Sequence, residues 1–108
     1  MVNTMDKMRR TQANLKKFLL KEYDMVYNIH HTRWSKDIFG LFDGFAVRPD
    51  EILFVQYKSN AVPNLNPYRE FYFKYRLPWA VLVWVDGKGI KCYGSMYNIG
   101  RKGLKTQV

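Results

Sequence analysis

The chain has one cysteine, Cys92, so no internal disulfide can form, and a lone reduced thiol points to the cytoplasm. Its two histidines, His30 and His31, are adjacent, and with one cysteine they offer no zinc-ligand spacing. No apolar run approaches the roughly 18 residues of a membrane span, which argues against a membrane partner. The first residues, Met1 to Asp6, lack the apolar core of a secretory signal. Negative charge is scarce too: nine Asp and Glu face eighteen Lys and Arg, a net charge of +9 over 108 residues. So strong a positive field on a small domain points to a polyanion, with a merely solvated basic face as the plain alternative. Apolar surface is abundant, at 47% hydrophobic and 17% aromatic residues, the opposite of a disordered composition. The length supports one core, so residues 1–108 read as a single domain with a basic tail from about 94.

Residues 4 to about 23 read as one amphipathic helix. Met5, Met8, Leu15, Phe18, Leu19 and Tyr23 recur at helical spacings, and Lys7, Arg9, Arg10, Lys16, Lys17 and Lys21 fill the other faces. Those cations make either a phosphate-binding face or a soluble one. Strands are expected at 25–29, about 39–47 and 51–58, the last two joined by a turn at Arg48-Pro49-Asp50. A polar loop from His30 to Asp37 separates the first two strands. Ser59 to Pro67, rich in proline and asparagine, breaks regular structure. A second helix fits 67–76, with Pro67 at its start and Tyr68, Phe71, Tyr72 and Tyr75 as an aromatic stripe, more often core than binding platform. Trp79 to Val85 is a continuous apolar run, the pattern of a central strand covered on both faces. Asp86-Gly87-Lys88-Gly89 then turns the chain into a strand at 90–93, and the tail beyond Gly94 is expected to be loosely ordered. The predicted class is α/β in the form of an α+β sandwich, a central mixed sheet flanked by helices.

Three polar residues interrupt these apolar strands. Asp43 falls on the second, and Gln56 and Lys58 share one face of the third, roughly 7 Å apart at about 3.3 Å per residue. A carboxylate, an amide oxygen and an ammonium on one face of a hairpin can hold a hard divalent cation with a water beside it. The plainer readings are a turn Asp beside Gly44, a hydrogen-bonded Gln56 and a solvated Lys58. Burying Gln56 among Phe54, Val55 and Tyr57 costs free energy unless something meets it.

The element order, with Asp on the second strand and a polar-x-Lys pair ending the third, resembles the PD-(D/E)XK nuclease superfamily. Within it the chain looks most like the small archaeal and viral Holliday-junction resolvases, over about residues 8–93. Ser35, Lys36 and Gly40 ahead of Asp43 resemble the family's approach to its metal-binding Asp, and Leu53 to Ser59 resembles its Glu-x-Lys strand. The resemblance implies a restriction-endonuclease-like αβββαβ core, a Mg2+ cofactor with Mn2+ as substitute, and hydrolysis of branched DNA by a homodimer in the cytoplasm, the host's if the chain is viral. Carried over, Asp43 bridges the metal, Gln56 and the carbonyl of Tyr57 ligate it, and Lys58 orients or activates the attacking water. Gln12 stands where the resolvases' first helix has a metal-linked Glu. Gln56 likewise replaces Glu, which leaves Asp43 as the one formal negative charge among these positions. Arg9 and Arg10 on the helix, with Arg33, Trp34, Ser35 and Lys36 in the loop, are the expected nucleic-acid contacts, Trp34 by stacking or wedging. Two other classes compete. One is a weak or inactive nucleic-acid-binding protein that keeps the nuclease fold, which the two glutamines favour. The other is a structural protein of a small replicon.

Overall fold

The computed structural model describes residues 4–29, 37–94 and 106–107. Helix α1 (Thr4–Leu19) stops four residues before the expected end at 23. The chain tightens there: the Lys21 N–H bonds Phe18 O at 3.3 Å and the Glu22 N–H bonds Leu19 O at 3.0 Å. Asp24 then donates its N–H to Val47 O at 2.8 Å, which carries the chain into the sheet and rules out another helical turn.

Strands β1 (Met25–Asn28), β2 (Gly44–Arg48) and β3 (Glu51–Ser59) follow, then α2 (Asn66–Tyr75), β4 (Trp79–Val85), β5 (Gly89–Gly94) and the two-residue β6 (Thr106–Gln107). They form one mixed sheet in the order β1-β2-β3-β4-β5-β6. Neighbours are antiparallel except for β3 with β4 and β5 with β6. This is an α+β arrangement of a mixed sheet with two helices, the coarse class expected. Pairing of β6 with β5 departs from the loose tail expected beyond Gly94, because the outer edge of β5 has backbone groups to satisfy.

The second departure lies at β2, which begins at Gly44 where 39 was expected. Phe39 (φ 56°) and Gly40 (φ 71°) are left-handed and reverse the chain, so Ile38 and Phe42 bridge each other instead of extending the strand. Helix α2 spans 66–75, one residue ahead of the range predicted. Arg76 takes a left-handed C-cap conformation (φ 55°) and donates its N–H to Tyr72 O at 2.8 Å.

Alternation on β3 and β4 divides the core in two. Leu53, Val55 and Tyr57, with Ala80, Leu82 and Cys92, pack against Leu15, Leu19 and Tyr23 around α1. Phe54, Trp79, Val81 and Val83 pack on the opposite side against Phe42 and against Tyr68 and Phe71 of α2. Each helix thus covers one face of the central strands, which is why Trp79 to Val83 is buried throughout. The fully buried Leu15 and Leu19 contribute roughly 1.5–3 kcal/mol each by leaving water.

Candidate functional site

Strands β2 and β3 pair from Arg48↔Glu51 at the hairpin to Gly44↔Val55, and there they part. The last backbone rung is Asp43 N–H to Val55 O at 2.8 Å. One step further, the backbone of β2 no longer faces β3, and the side chain of Asp43 takes over: its Oδ2 accepts the N–H of Tyr57 at 3.0 Å. The turn before it drives this parting. Phe42 is fully buried, with ring centroids 5.5 Å from Phe54, 5.6 Å from Tyr68 and 5.1 Å from Phe71, so the chain is pulled off the sheet toward α2 immediately before Asp43. Asp43 therefore sits just ahead of β2, one residue short of the strand position expected for it.

Other contacts hold this fork together. The Ile29 N–H bonds Asp43 O at 2.9 Å, and the Tyr57 hydroxyl donates to Asn28 Oδ1 at 2.5 Å. Gly44 lies beneath them. A Cβ there would stand 2.2 Å from Tyr27 O and 2.8 Å from Asn28 Oδ1, so no side chain fits. Nothing in the sequence flagged Asn28; a polar residue closing an edge strand beside an obligatory glycine was the available signal.

Because the Asp43 N–H bonds Val55 O, Asp43 and Gly44 both stand opposite Val55, and the regular ladder ends there, one residue before Gln56. Asp43 is 6% exposed and Gln56 7%. Among the described residues, Gln56 Oε1 is the buried side-chain polar atom that no hydrogen bond reaches. Leaving such an acceptor dry costs about 1–3 kcal/mol. Lys58 lies two residues on, half-buried on the same face of β3, at the level of Val83. The Tyr57 N–H points at Asp43, and the N–H and C=O of one strand residue leave on the same side, so the Tyr57 carbonyl also faces the fork.

The charge of Asp43 reaches two phenols. Burial pushes the Tyr57 hydroxyl up from its ordinary value, and the carboxylate of Asp43 adds to that. The Tyr68 hydroxyl is raised by burial, then by Asp43 and by Asp37. Both phenols stay neutral around the carboxylate.

Helix α1 brings Thr11 to the end of β3, with Thr11 Oγ1 2.9 Å from Ser59 Oγ. Ser59 shares the α1 side of β3 with Val55 and Tyr57, whereas Gln56 and Lys58 alternate to the other side. Gln12, next to Thr11, is half-buried on α1, which covers the Val55 and Tyr57 side, away from Gln56 and Lys58. The structure thus joins Asp43 to the backbone of Tyr57, the residue after Gln56, and seats Gln12 on the helix that covers the other face of β3. Arg9 and Arg10 are exposed on α1. Arg33, Trp34, Ser35 and Lys36, with His30 and His31, lie outside the described residues. Compared with protein-family models, curated proteins and solved structures, the chain finds no match.

Proposed function

We propose that this chain is a metal-dependent DNA endonuclease of the PD-(D/E)XK type, selective for branched DNA, with the fork between β2 and β3 as its active centre. The reading is supported by an αβββαβ element order, a mixed sheet with a helix on each face, and an Asp at the parting of two strands. One observation carries it: the buried oxygen of Gln56, without a protein donor, on the residue next to Tyr57, whose N–H Asp43 receives. The Asp43 carboxylate, the Gln56 amide oxygen and the Tyr57 carbonyl form an all-oxygen donor set, which suits Mg2+ and also takes Mn2+. Such an ion, when bound, supplies Lewis acidity to a phosphoryl oxygen and a water of lowered pKa.

The chain's own groups do the rest. Asp43 is fixed in place by the Tyr57 N–H, which its Oδ2 accepts. Gln56 orients its oxygen without adding charge, which makes the site weaker than one built on two carboxylates. Lys58, on the same face, holds a water by its ammonium and offsets charge developing on the phosphate. The exposed Arg9 and Arg10, with the overall +9, hold the DNA backbone. A four-way junction as substrate and a homodimer as acting unit follow from the resemblance to the resolvases.

A second reading is a weak or inactive DNA-binding protein on the same fold. It is favoured by the donor set: among the described residues no three His, Cys, Asp or Glu side chains gather where a metal ion would be held. Cleavage of linear, flapped and four-way DNA in Mg2+, Mn2+ or EDTA separates the two. The endonuclease cuts in either metal and not in EDTA, and Asp43→Asn and Lys58→Ala each lower the rate at least 100-fold, by roughly 3 kcal/mol of barrier, with DNA binding kept. A wild type that cuts none of these substrates in either metal leaves only the binding protein.

A further inference from the structure

We propose that the outer face of α2 is a stacking platform for an unpaired nucleic-acid strand, with Tyr72 and Phe73 meeting bases and Arg69 and Arg76 meeting phosphates. This goes beyond the endonuclease reading and does not need it, since neither a metal nor cleavage enters. The aromatic stripe of α2 divides in the fold. Tyr68 and Phe71 are buried in the core, whereas Tyr72, Phe73 and Tyr75 stand exposed, Phe73 at 68%. Residues three and four apart are neighbours on a helix surface, and Arg69 and Arg76 bracket Tyr72 and Phe73 at those spacings. The Arg76 guanidinium lies 5.4 Å from the Tyr72 ring centroid and 5.7 Å from that of Phe73, within cation–π reach of both. Its backbone is held by the left-handed C-cap, whose N–H bonds Tyr72 O at 2.8 Å. Arg69 is tied through Nη1 to Asn66 Oδ1 at 3.2 Å. Exposed rings continue past the helix: Phe39, 65% exposed, and Tyr75 lie 5.7 and 5.2 Å from Phe71.

Apolar side chains scattered singly over a surface are ordinary, but neighbouring rings interleaved with guanidinium groups make a binding surface. Charge selects its occupant. Between Asn66 and Arg76, Glu70 is the one carboxylate against Arg69, Lys74 and Arg76, and the whole chain carries +9. A second copy seated on this face across a two-fold axis would set the same cations against each other, so the face suits a polyanion. An anionic membrane offers charge but no flat rings to stack on. Nucleic acid offers both, and its bases are open to protein rings only where they are free of a duplex, in which each already stacks on its neighbours.

The measurement is fluorescence anisotropy of the full chain, in EDTA, with a labelled oligothymidine of about 15 nucleotides and with the same strand paired to oligoadenine. Phe73→Ala is expected to weaken binding of the single strand about fivefold or more and to leave the duplex within about twofold, and Phe73→Trp to keep both. The melting temperature of Phe73→Ala should match the wild type, because so exposed a ring holds little of the core together. Arg76→Gln is expected to weaken single-strand binding and to reduce its salt slope by about one phosphate contact. Single-strand binding by Phe73→Ala at wild-type strength overturns the proposal, as does an equal loss for strand and duplex. So does a wild-type dimer that Phe73→Ala splits while single-strand binding is kept, which gives the face to a second copy. Binding to phosphatidylserine vesicles that Phe73→Ala removes, again with single-strand binding kept, gives it to a membrane and overturns the proposal too. Cleavage has no part in these readings, so a chain that holds the single strand through α2 and never cuts DNA overturns the endonuclease reading alone.

Discussion

Asp43 has a structural task in the sheet, and its neighbour across Tyr57 does not. One carboxylate oxygen stands in for the missing rung between β2 and β3 by accepting the Tyr57 N–H. Gln56 has no such structural task, since its Oε1 bonds nothing in the protein. The two residues therefore respond differently to substitution. Gln56→Met keeps length and volume and removes the orphaned acceptor, so the metal-free fold should gain about 1–3 kcal/mol in urea denaturation. The same variant should lose any rise in melting temperature that Mg2+ gives the wild type. A Gln56 satisfied by an ordinary hydrogen bond would instead make Gln56→Met destabilising. Asp43, Gln56 and Lys58 were legible in the sequence because polar residues in an apolar strand stand out and alternate predictably. Asn28 was not, since its partner Tyr57 is 29 residues away and on a different strand.

Among the elements, β1 and β2 lie close because Gly44 has no side chain. Alanine there would press its Cβ to 2.2 Å from Tyr27 O, a backbone atom with nowhere to go. Gly44→Ala should cost about 1–3 kcal/mol by overpacking, read as a lower urea midpoint, and should loosen the Asn28–Tyr57 bond at the fork. An unchanged midpoint would mean that β1 is not held against β2 as the register requires. The elements themselves follow from local pattern: periodic apolar residues over α1, Pro67 at the start of α2, a continuous apolar run for β4. Their ends follow from contacts. Helix α1 stops where Asp24 pairs with Val47, and β2 starts late because Phe42 is drawn under α2. Neither contact has a signature in the residues beside it.

The whole molecule responds to pH and salt. Burial pushes the Cys92 thiol up to about 12. A folded value above the ordinary thiol range means that the native state keeps its proton longer than the unfolded chain does. Stability is therefore full below about pH 9 and falls as pH rises from there toward 12. Denaturation midpoints at pH 8 and pH 10 should show the loss, and Cys92→Ala should reduce it. Tyr57 and Tyr23, both raised mainly by burial, add to the decline at higher pH still. The native thiol should also resist alkylation until the chain unfolds, because 1% exposure leaves it out of reach. Salt acts through the net charge of +9. If six to ten phosphates are contacted, DNA affinity should fall by roughly 10³–10⁵ between about 50 and 200 mM salt, with little dependence on base sequence. A flat salt response would show that the positive charge serves something other than nucleic acid.

Composition and short-range periodicity decided the positive field, the order of the two helices and the five main strands, and the face of β3 that carries Gln56 and Lys58. These rest on side-chain types repeating within a few residues, and such information is complete in a single chain. Where β2 leaves β3, which backbone amide Asp43 receives, and whether Gln56 meets a partner were decided only by tertiary packing. Each depends on groups far apart in sequence that buried aromatic rings bring within hydrogen-bond distance, and no local pattern encodes that approach.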